Sequence, residues 1–117
     1  MSEKKPLITV LMPCYNALPY LYKAIESIIN QTYTNLEILC INDGSTDETG
    51  AVLENYATQD KRIRVIHNNA NIRLIKTLNK GIDMARGKYI ARMDADDYSH
   101  PDRIKLQMDC FFSDPSL

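Results

Sequence analysis

The chain has 117 residues, enough for about one domain, with 44% hydrophobic residues, 25% charged residues, and 14 Lys and Arg against 15 Asp and Glu. A domain of this size buries roughly two-thirds of the surface its unfolded chain exposes, which excludes disorder and removes any need for disulfide or metal staples. A formal net charge of -1 provides no field to draw in nucleic acid or anionic lipid, and no stretch is long and apolar enough to span a membrane.

Lys4 and Lys5 precede an apolar run, residues 7–12, but Pro13 and the polar Tyr15 and Asn16 stop it before a signal-peptide core could form, so a cytoplasmic setting is expected. That run reads as the first strand. Leu21, Ala24, Ile25, Ile28 and Ile29 then recur at helical spacing, and residues 36–41 form a second strand. Ser45 or Thr46 is expected to cap a helix reaching about Tyr56, with Asp47 and Glu48 in its first turn. Residues 63–67 form a third strand. Leu74, Leu78, Ile82 and Ala85 mark the apolar face of a third helix, which Gly87 ends before a fourth strand at residues 88–93. Ser99 and Pro101 open a last helix with Ile104, Met108 and Phe111 on one face. Cys14, Cys40 and Cys110 are odd in number, far apart and without a CxxC pair, so they are expected to be reduced, mostly buried thiols. Met84, Met93 and Met108 are expected as core filler. No repeat, linker or low-complexity tract divides residues 1–117.

Strict alternation of strand and helix predicts a parallel sheet with helices on both faces, a three-layer α/β/α architecture. The strand order 3-2-1-4 is expected, because it sets the loops after the first and fourth strands side by side where ligands bind such sheets. Function is therefore sought in the four loops that follow the strands.

The strongest loop is Asp94-Ala95-Asp96-Asp97, three carboxylates bunched at a strand end. Like charges this close repel unless something positive sits among them, and hard oxygen ligands suit Mg2+ or Mn2+ shared with phosphate oxygens. A helix-capping acidic loop is the competing reading. The second loop, Asn42-Asp43-Gly44-Ser45-Thr46-Asp47, is a turn with an N-cap, yet it also leaves Asp43 at a strand end, where a carboxylate can accept the N–H of a planar base. Tyr15 in the neighbouring loop offers a ring for that base to lie against, or else simply packs at the rim. His67, His100 and the Cys14 thiol are read as structural rather than catalytic.

Taken together, five stretches carry a family resemblance: Ile8-Thr9-Val10-Leu11-Met12-Pro13-Cys14-Tyr15-Asn16, Ser27-Ile28-Ile29-Asn30-Gln31-Thr32-Tyr33, residues 42–47, Leu78-Asn79-Lys80-Gly81, and residues 89–103. In order and spacing, residues 7–107 resemble the N-terminal, nucleotide-sugar-binding half of the family 2 glycosyltransferases, which have the Rossmann-like GT-A fold. The resemblance implies that Pro13 and Tyr15 line a base pocket and that Asp43 takes a uracil-type N–H. It further implies that Asp94 approaches the ribose or the metal, Asp96 ligates Mn2+ or Mg2+ directly, and Asp97 supports it or faces the sugar. Two positions depart from the family pattern. Asn42 stands where many members have Asp, which would remove one carboxylate near the base. Arg73 replaces a common Gly, which would alter the third loop; Arg73 and Lys76 are within reach of a diphosphate, although a solvated helix face is the plainer reading.

The function so implied is metal-dependent binding of a nucleotide-sugar, a UDP-sugar, for inverting transfer to a hydroxyl on a glycan or lipid-linked acceptor in surface polysaccharide or other glycan synthesis. The full-length protein would be cytoplasmic or peripheral to the inner face of the membrane. No residue is assigned as the catalytic base. The family's base, acceptor pocket and a further metal ligand lie in a second half, so residues 1–117 are expected to be a single truncated domain whose uncovered apolar face promotes self-association. A haloacid dehalogenase-type phosphatase would need an Asp where Pro13 stands, and a receiver domain would need acids there and an Asp where Asn68 and Asn69 stand. A non-enzymatic module that binds a nucleotide or dimerises is the remaining alternative.

Overall fold

The computed structural model describes residues 5–113, with side chains described as far as residue 110. Four strands alternate with four helices: β1 (Ile8–Cys14), α1 (Leu21–Ile29), β2 (Leu36–Asn42), α2 (Thr49–Gln59), β3 (Ile63–His67), α3 (Leu74–Met84), β4 (Tyr89–Arg92) and α4 (Arg103–Ser113). The strands form one parallel sheet in the order β3-β2-β1-β4. This is the three-layer Rossmann-like arrangement expected from the alternation, and it brings the ends of β1, β2 and β4 together.

The layers are unequal. Ile8, Val10, Met12 and Cys14 of β1 and Ile38 and Cys40 of β2 share one core with α1 residues Leu21, Ala24, Ile25 and Ile28, with Leu53 and Tyr56 of α2, and with Ile104 and Met108 of α4. On the opposite side Leu11, Leu39 and Ile41 meet α3 alone, with Ile66, Leu78 and Met84 packed around them. Met93 and Met108 are buried and Met84 half-buried, as expected of filler. Phe111 lies outside the described side chains. Cys14 and Cys40 are buried, whereas Cys110 is exposed on α4, against expectation.

Pro13 does not end β1. The Leu11 carbonyl accepts the Met93 N–H, while the Cys14 carbonyl accepts that of Asp43, so odd-numbered residues of β1 address β4 and even-numbered ones β2. Beyond Leu11 no β4 residue is paired, and the N–H that proline lacks is not needed there.

α3 also departs from its sequence pattern. Thr77 and Gly81 are its buried residues, Leu78 is half-buried, and Leu74, Ile75 and Ile82 are exposed. The reason is close approach: a Cβ on Gly81 would stand 2.4 Å from Leu11 Cδ1, so the helix meets the sheet through its smallest side chains and turns the larger ones aside. α2 begins at Thr49, not at the predicted cap, because Ser45 and Thr46 are engaged with the first loop; Asp47 Oδ1 instead accepts the Thr49 N–H at 2.9 Å. At the amino ends of the strands a polar knot closes the α3 face. There Glu37, paired across the sheet with Thr9, accepts the Thr9 hydroxyl at 2.7 Å, the Arg86 N–H at 2.8 Å and the Arg64 guanidinium at 3.3 Å.

Candidate functional site

The loops at the carboxyl ends of the strands are laced to one another. Asn16 after β1 accepts the Thr46 N–H through Oδ1 at 2.8 Å and donates its own N–H to Ser45 Oγ at 3.0 Å, while the Ala17 N–H reaches Thr49 Oγ1 at 3.0 Å. Gly44, at φ 70°, lets the second loop press on the third: a Cβ there would stand 2.5 Å from the Asn71 nitrogen and 2.6 Å from the Ala70 carbonyl carbon.

Between these loops lies an open cleft of about 240 Å³ lined by Pro13, Cys14, Tyr15, Asp43, Asn71, Arg73, Leu74 and Thr77. Three of the residues singled out in the sequence, Pro13, Tyr15 and Asp43, therefore share one wall system. Tyr15 is 49% exposed and Asp43 only 5%. The Asp43 carboxylate is held firmly: Oδ1 accepts from Asn68 Nδ2 at 2.9 Å and the Ile72 N–H at 2.8 Å, and Oδ2 accepts the Arg73 N–H at 3.1 Å. Burial pushes this carboxyl up, but hydrogen bonds from Ile72, Asn68, Thr77 and Arg73 outweigh it and hold the group below the usual carboxylate range. It is thus an anion at the N-terminal end of α3, where the helix dipole favours negative charge.

Arg73 is exposed and is the N-cap of α3. It stands just ahead of α3 at φ 74°, ψ 162°, backbone that favours glycine, and is among the residues that line the cleft. Lys76 is exposed, as expected. Asn42, expected to leave the base one carboxylate short, is turned elsewhere. Its side chain turns under α2, with Nδ2 3.0 Å from His67 Nδ1 and Oδ1 accepting the Ser45 N–H at 3.2 Å, and it is not among the residues lining the cleft. His67 pairs with Glu54 through Nε2 at 2.5 Å and His100 Nδ1 accepts the Asp102 N–H at 3.1 Å, both structural contacts. Cys14 lines the cleft but is buried; burial, with Cys40 nearby, pushes its thiol well above the ordinary range, and burial pushes Cys40 up to about 12, so neither is a ready nucleophile.

Asp94, Asp96 and Asp97 gather just past β4, with ligand oxygens within 4.8 Å of one another and all three exposed. They do not line the cleft beside Tyr15. Asp94 Oδ1 accepts from the Arg92 guanidinium at 3.0 Å, Asp97 Oδ2 accepts the Asp94 N–H at 3.2 Å, and Asp96 makes no hydrogen bond among the described residues. Such a set of hard oxygens fits a small divalent cation. The loop is anchored from below by residues to which sequence reasoning assigned no role: Ser27 Oγ accepts the Ser99 N–H, Gln31 Nε2 donates to the His100 carbonyl at 2.7 Å, and Gln31 Oε1 accepts the Ile104 N–H at 3.0 Å. Their signal was present in the second matching stretch, but the partners lie some seventy positions away.

A doubly wound parallel sheet with its cleft and acidic cluster at the carboxyl ends defines a Rossmann-like nucleotide-binding class. Residues 9–116 match the family model described as glycosyl transferase family 2, and the chain belongs to that family. It is 52% identical over 103 residues to an uncharacterised glycosyltransferase of Haemophilus influenzae, covering 88% of this chain and 32% of that protein. The chain thus spans about a third of that relative's length. The fold superposes on S. aureus TarS 1–349 in complex with UDP-GlcNAc with a TM-score of 0.84, at 24% identity over 91% of this chain and 31% of that 1–349 chain. It superposes equally on a mannosyltransferase, PcManGT from Pyrobaculum calidifontis, in complex with GDP-Man and Mn2+, with a TM-score of 0.84, at 24% identity over 97% of this chain and 34% of that one.

Proposed function

We propose that residues 1–117 are the donor-binding part of a metal-dependent glycosyltransferase that takes a UDP-sugar and transfers its sugar, with inversion, to a hydroxyl of a glycan or lipid-linked acceptor. The observation that carries this reading is a cleft lined by both the buried Asp43 and the exposed Tyr15, with a three-carboxylate cluster past the strand that neighbours β1. In this reading the base lies along Tyr15 and Pro13, and its N–H is accepted by Asp43 Oδ2, the carboxylate oxygen that takes a single backbone N–H. Arg73, on the cleft wall, neutralises diphosphate charge. Asp96 and Asp94 hold Mn2+ or Mg2+; when bound, such an ion stabilises the charge that develops on the departing diphosphate. The family membership supports the reaction class, while the UDP-GlcNAc and GDP-Man neighbours share the fold and leave the base to be decided by the cleft. Among the described residues no helix is long and apolar enough to cross a membrane, and we place the domain in the cytoplasm or at the inner membrane face, serving polysaccharide synthesis.

Calorimetric titration of the chain with UDP, GDP and ADP, each with and without Mn2+, tests the reading. Tighter binding of UDP than of ADP or GDP, with the difference kept when Mn2+ is removed, is expected; equal affinities for the three would overturn recognition of the base by this cleft.

A further inference from the structure

We infer that Lys80 is a positioning residue for donor recognition: it orients the Asn68 amide, and that amide holds the Asp43 carboxylate in the attitude it presents to the cleft. The inference rests on the reading of Asp43 as the carboxylate that faces the base.

Asn68 follows β3 directly, with its N–H donated to the Asn42 carbonyl at 2.9 Å, and its side chain is buried. A primary amide fits its pocket in two ways that differ by a half turn, and the neighbours decide between them. Here Nδ2 donates to Asp43 Oδ1 at 2.9 Å and lies 3.4 Å from Thr77 Oγ1, while Oδ1 accepts from Lys80 Nζ at 2.6 Å. The half-turned amide would set a carbonyl oxygen against a carboxylate and an NH2 group against an ammonium, replacing two attractive contacts by two repulsive ones. A charged Lys80 therefore makes the observed orientation the only favourable one.

Thr77 and Lys80 are three residues apart on α3 and so share a helix face, the one turned to the end of β3. The segment leading into the same helix supplies the Ile72 and Arg73 N–H groups to Asp43. One helix thus grips the carboxylate twice: directly at its N-terminal end, and through Asn68 one turn further on. Any rotation of Asp43 would also disturb Arg73, whose backbone is held at positive φ, and with it the wall formed by Asn71, Arg73 and Leu74. Lys80 itself is not among the residues that line the cleft. Its effect on a nucleotide bound there must pass through Asn68.

The test compares wild type, Lys80→Met and Lys80→Arg. Two measurements are made on each: NMR of the Asn68 side-chain amide and of the Asp43 carboxyl carbon across pH, and calorimetric affinity for UDP and for inorganic pyrophosphate with Mn2+. Lys80→Met is expected to shift the Asn68 signals, raise the Asp43 titration midpoint and weaken UDP about tenfold, leaving Mn-pyrophosphate within about twofold. Lys80→Arg, which keeps the charge, is expected to restore most of the UDP affinity. Unchanged Asn68 and Asp43 signals in Lys80→Met would overturn the inference, as would equal losses for UDP and pyrophosphate, which mark a general loss of structure. Should Lys80→Met fold poorly, Lys80→Ala, which likewise removes the donor, is read in the same way. If wild type prefers neither UDP nor ADP, the base-pocket reading fails on its own, and the NMR comparison still decides whether Lys80 sets Asp43.

Discussion

Asp43 and Asp96 are both strand-end aspartates, and their surroundings give them opposite tasks. Asp43 is buried and accepts hydrogen bonds from Asn68 Nδ2 and from the Ile72 and Arg73 N–H groups, so its position is settled before any ligand arrives. Asp96 is exposed and makes none among the described residues, so it is free to take a cation that the neighbouring carboxylates help to hold. Two substitutions separate these roles. Asp43→Ala is expected to weaken UDP by about 1–3 kcal/mol, the range for leaving a hydrogen-bonding group unpaired, with little change in affinity for Mn2+. Asp96→Asn is expected to abolish the dependence of nucleotide affinity on Mn2+ while leaving metal-free UDP affinity unchanged. Calorimetry with and without the metal reads both: a loss of Mn2+ affinity in Asp43→Ala, or a loss of metal-free UDP affinity in Asp96→Asn, would contradict the assignment.

The elements are joined by side chains that act far along the sequence. Gln31, just past α1, is 3% exposed and satisfies the His100 carbonyl and the Ile104 N–H, coupling α1 to the acidic loop and to α4. Gln31→Leu leaves the buried Ile104 N–H without its partner and removes one of the two hydrogen bonds that the His100 carbonyl accepts, the other coming from the Arg103 N–H, and a loss of about 1–3 kcal/mol in urea unfolding is expected, together with weaker Mn2+ binding. The sheet also depends on carboxylates remaining charged. At Glu37 burial pushes the carboxyl up, yet the Arg86 N–H, the Thr9 hydroxyl and the Arg64 guanidinium outweigh it and leave the group below its ordinary value; Asp43 is depressed in the same way. Asp60 is lowered chiefly by Arg62. A carboxyl depressed in the folded state adds stability that is fully present above its unfolded value and is lost as pH falls through the folded one. Urea midpoints are therefore expected to hold down to about pH 5 and to fall steadily below about pH 4, and Glu37→Gln is expected to flatten part of that fall.

At the scale of the whole molecule the uneven layering has a consequence. Among the described residues α3 is alone on its side of the sheet and exposes Leu74, Ile75 and Ile82, and Ile90 of the edge strand β4 is also exposed. Apolar surface of this kind is a contact site, and sedimentation equilibrium is expected to show mass rising with concentration, with Ile75→Lys and Ile82→Lys reducing the rise. The same chain is expected to bind donor without transferring sugar. Activating an acceptor hydroxyl needs a base within about 3 Å of it. Here Asp94 and Asp97 are tied to Arg92 and to the loop backbone, and His100 accepts from Asp102. Acceptor-dependent release of UDP by these 117 residues, at the rate of a longer family member, would place the base among Asp94, Asp96, Asp97 and His100 instead.

Local pattern determined a good deal of this protein. The alternation of β-branched runs with helical spacing was enough for the parallel sheet and its layers, because crossover handedness leaves few other ways to connect such elements, while the order 3-2-1-4 was expected from the need to bring the loops after the first and fourth strands together. The clustering of Asp94, Asp96 and Asp97 was legible too, since residues that close in sequence share a loop wherever it goes. Only the tertiary structure decided the rest. It extended β1 through Pro13, because the neighbouring strand had already ended, and it turned Asn42 away from the cleft and under α2. It rotated the buried face of α3 from Leu74 and Ile82 toward Thr77 and Gly81, with Leu78 kept against the core, because Gly81 allows an approach that larger side chains forbid. It gave Gln31, Asn68 and Lys80 their partners, which are set by the meeting of loop, helix and strand rather than by any spacing within one segment. Periodicity reports which residues an element can bury, whereas the distance of closest approach between elements determines which of them it does bury.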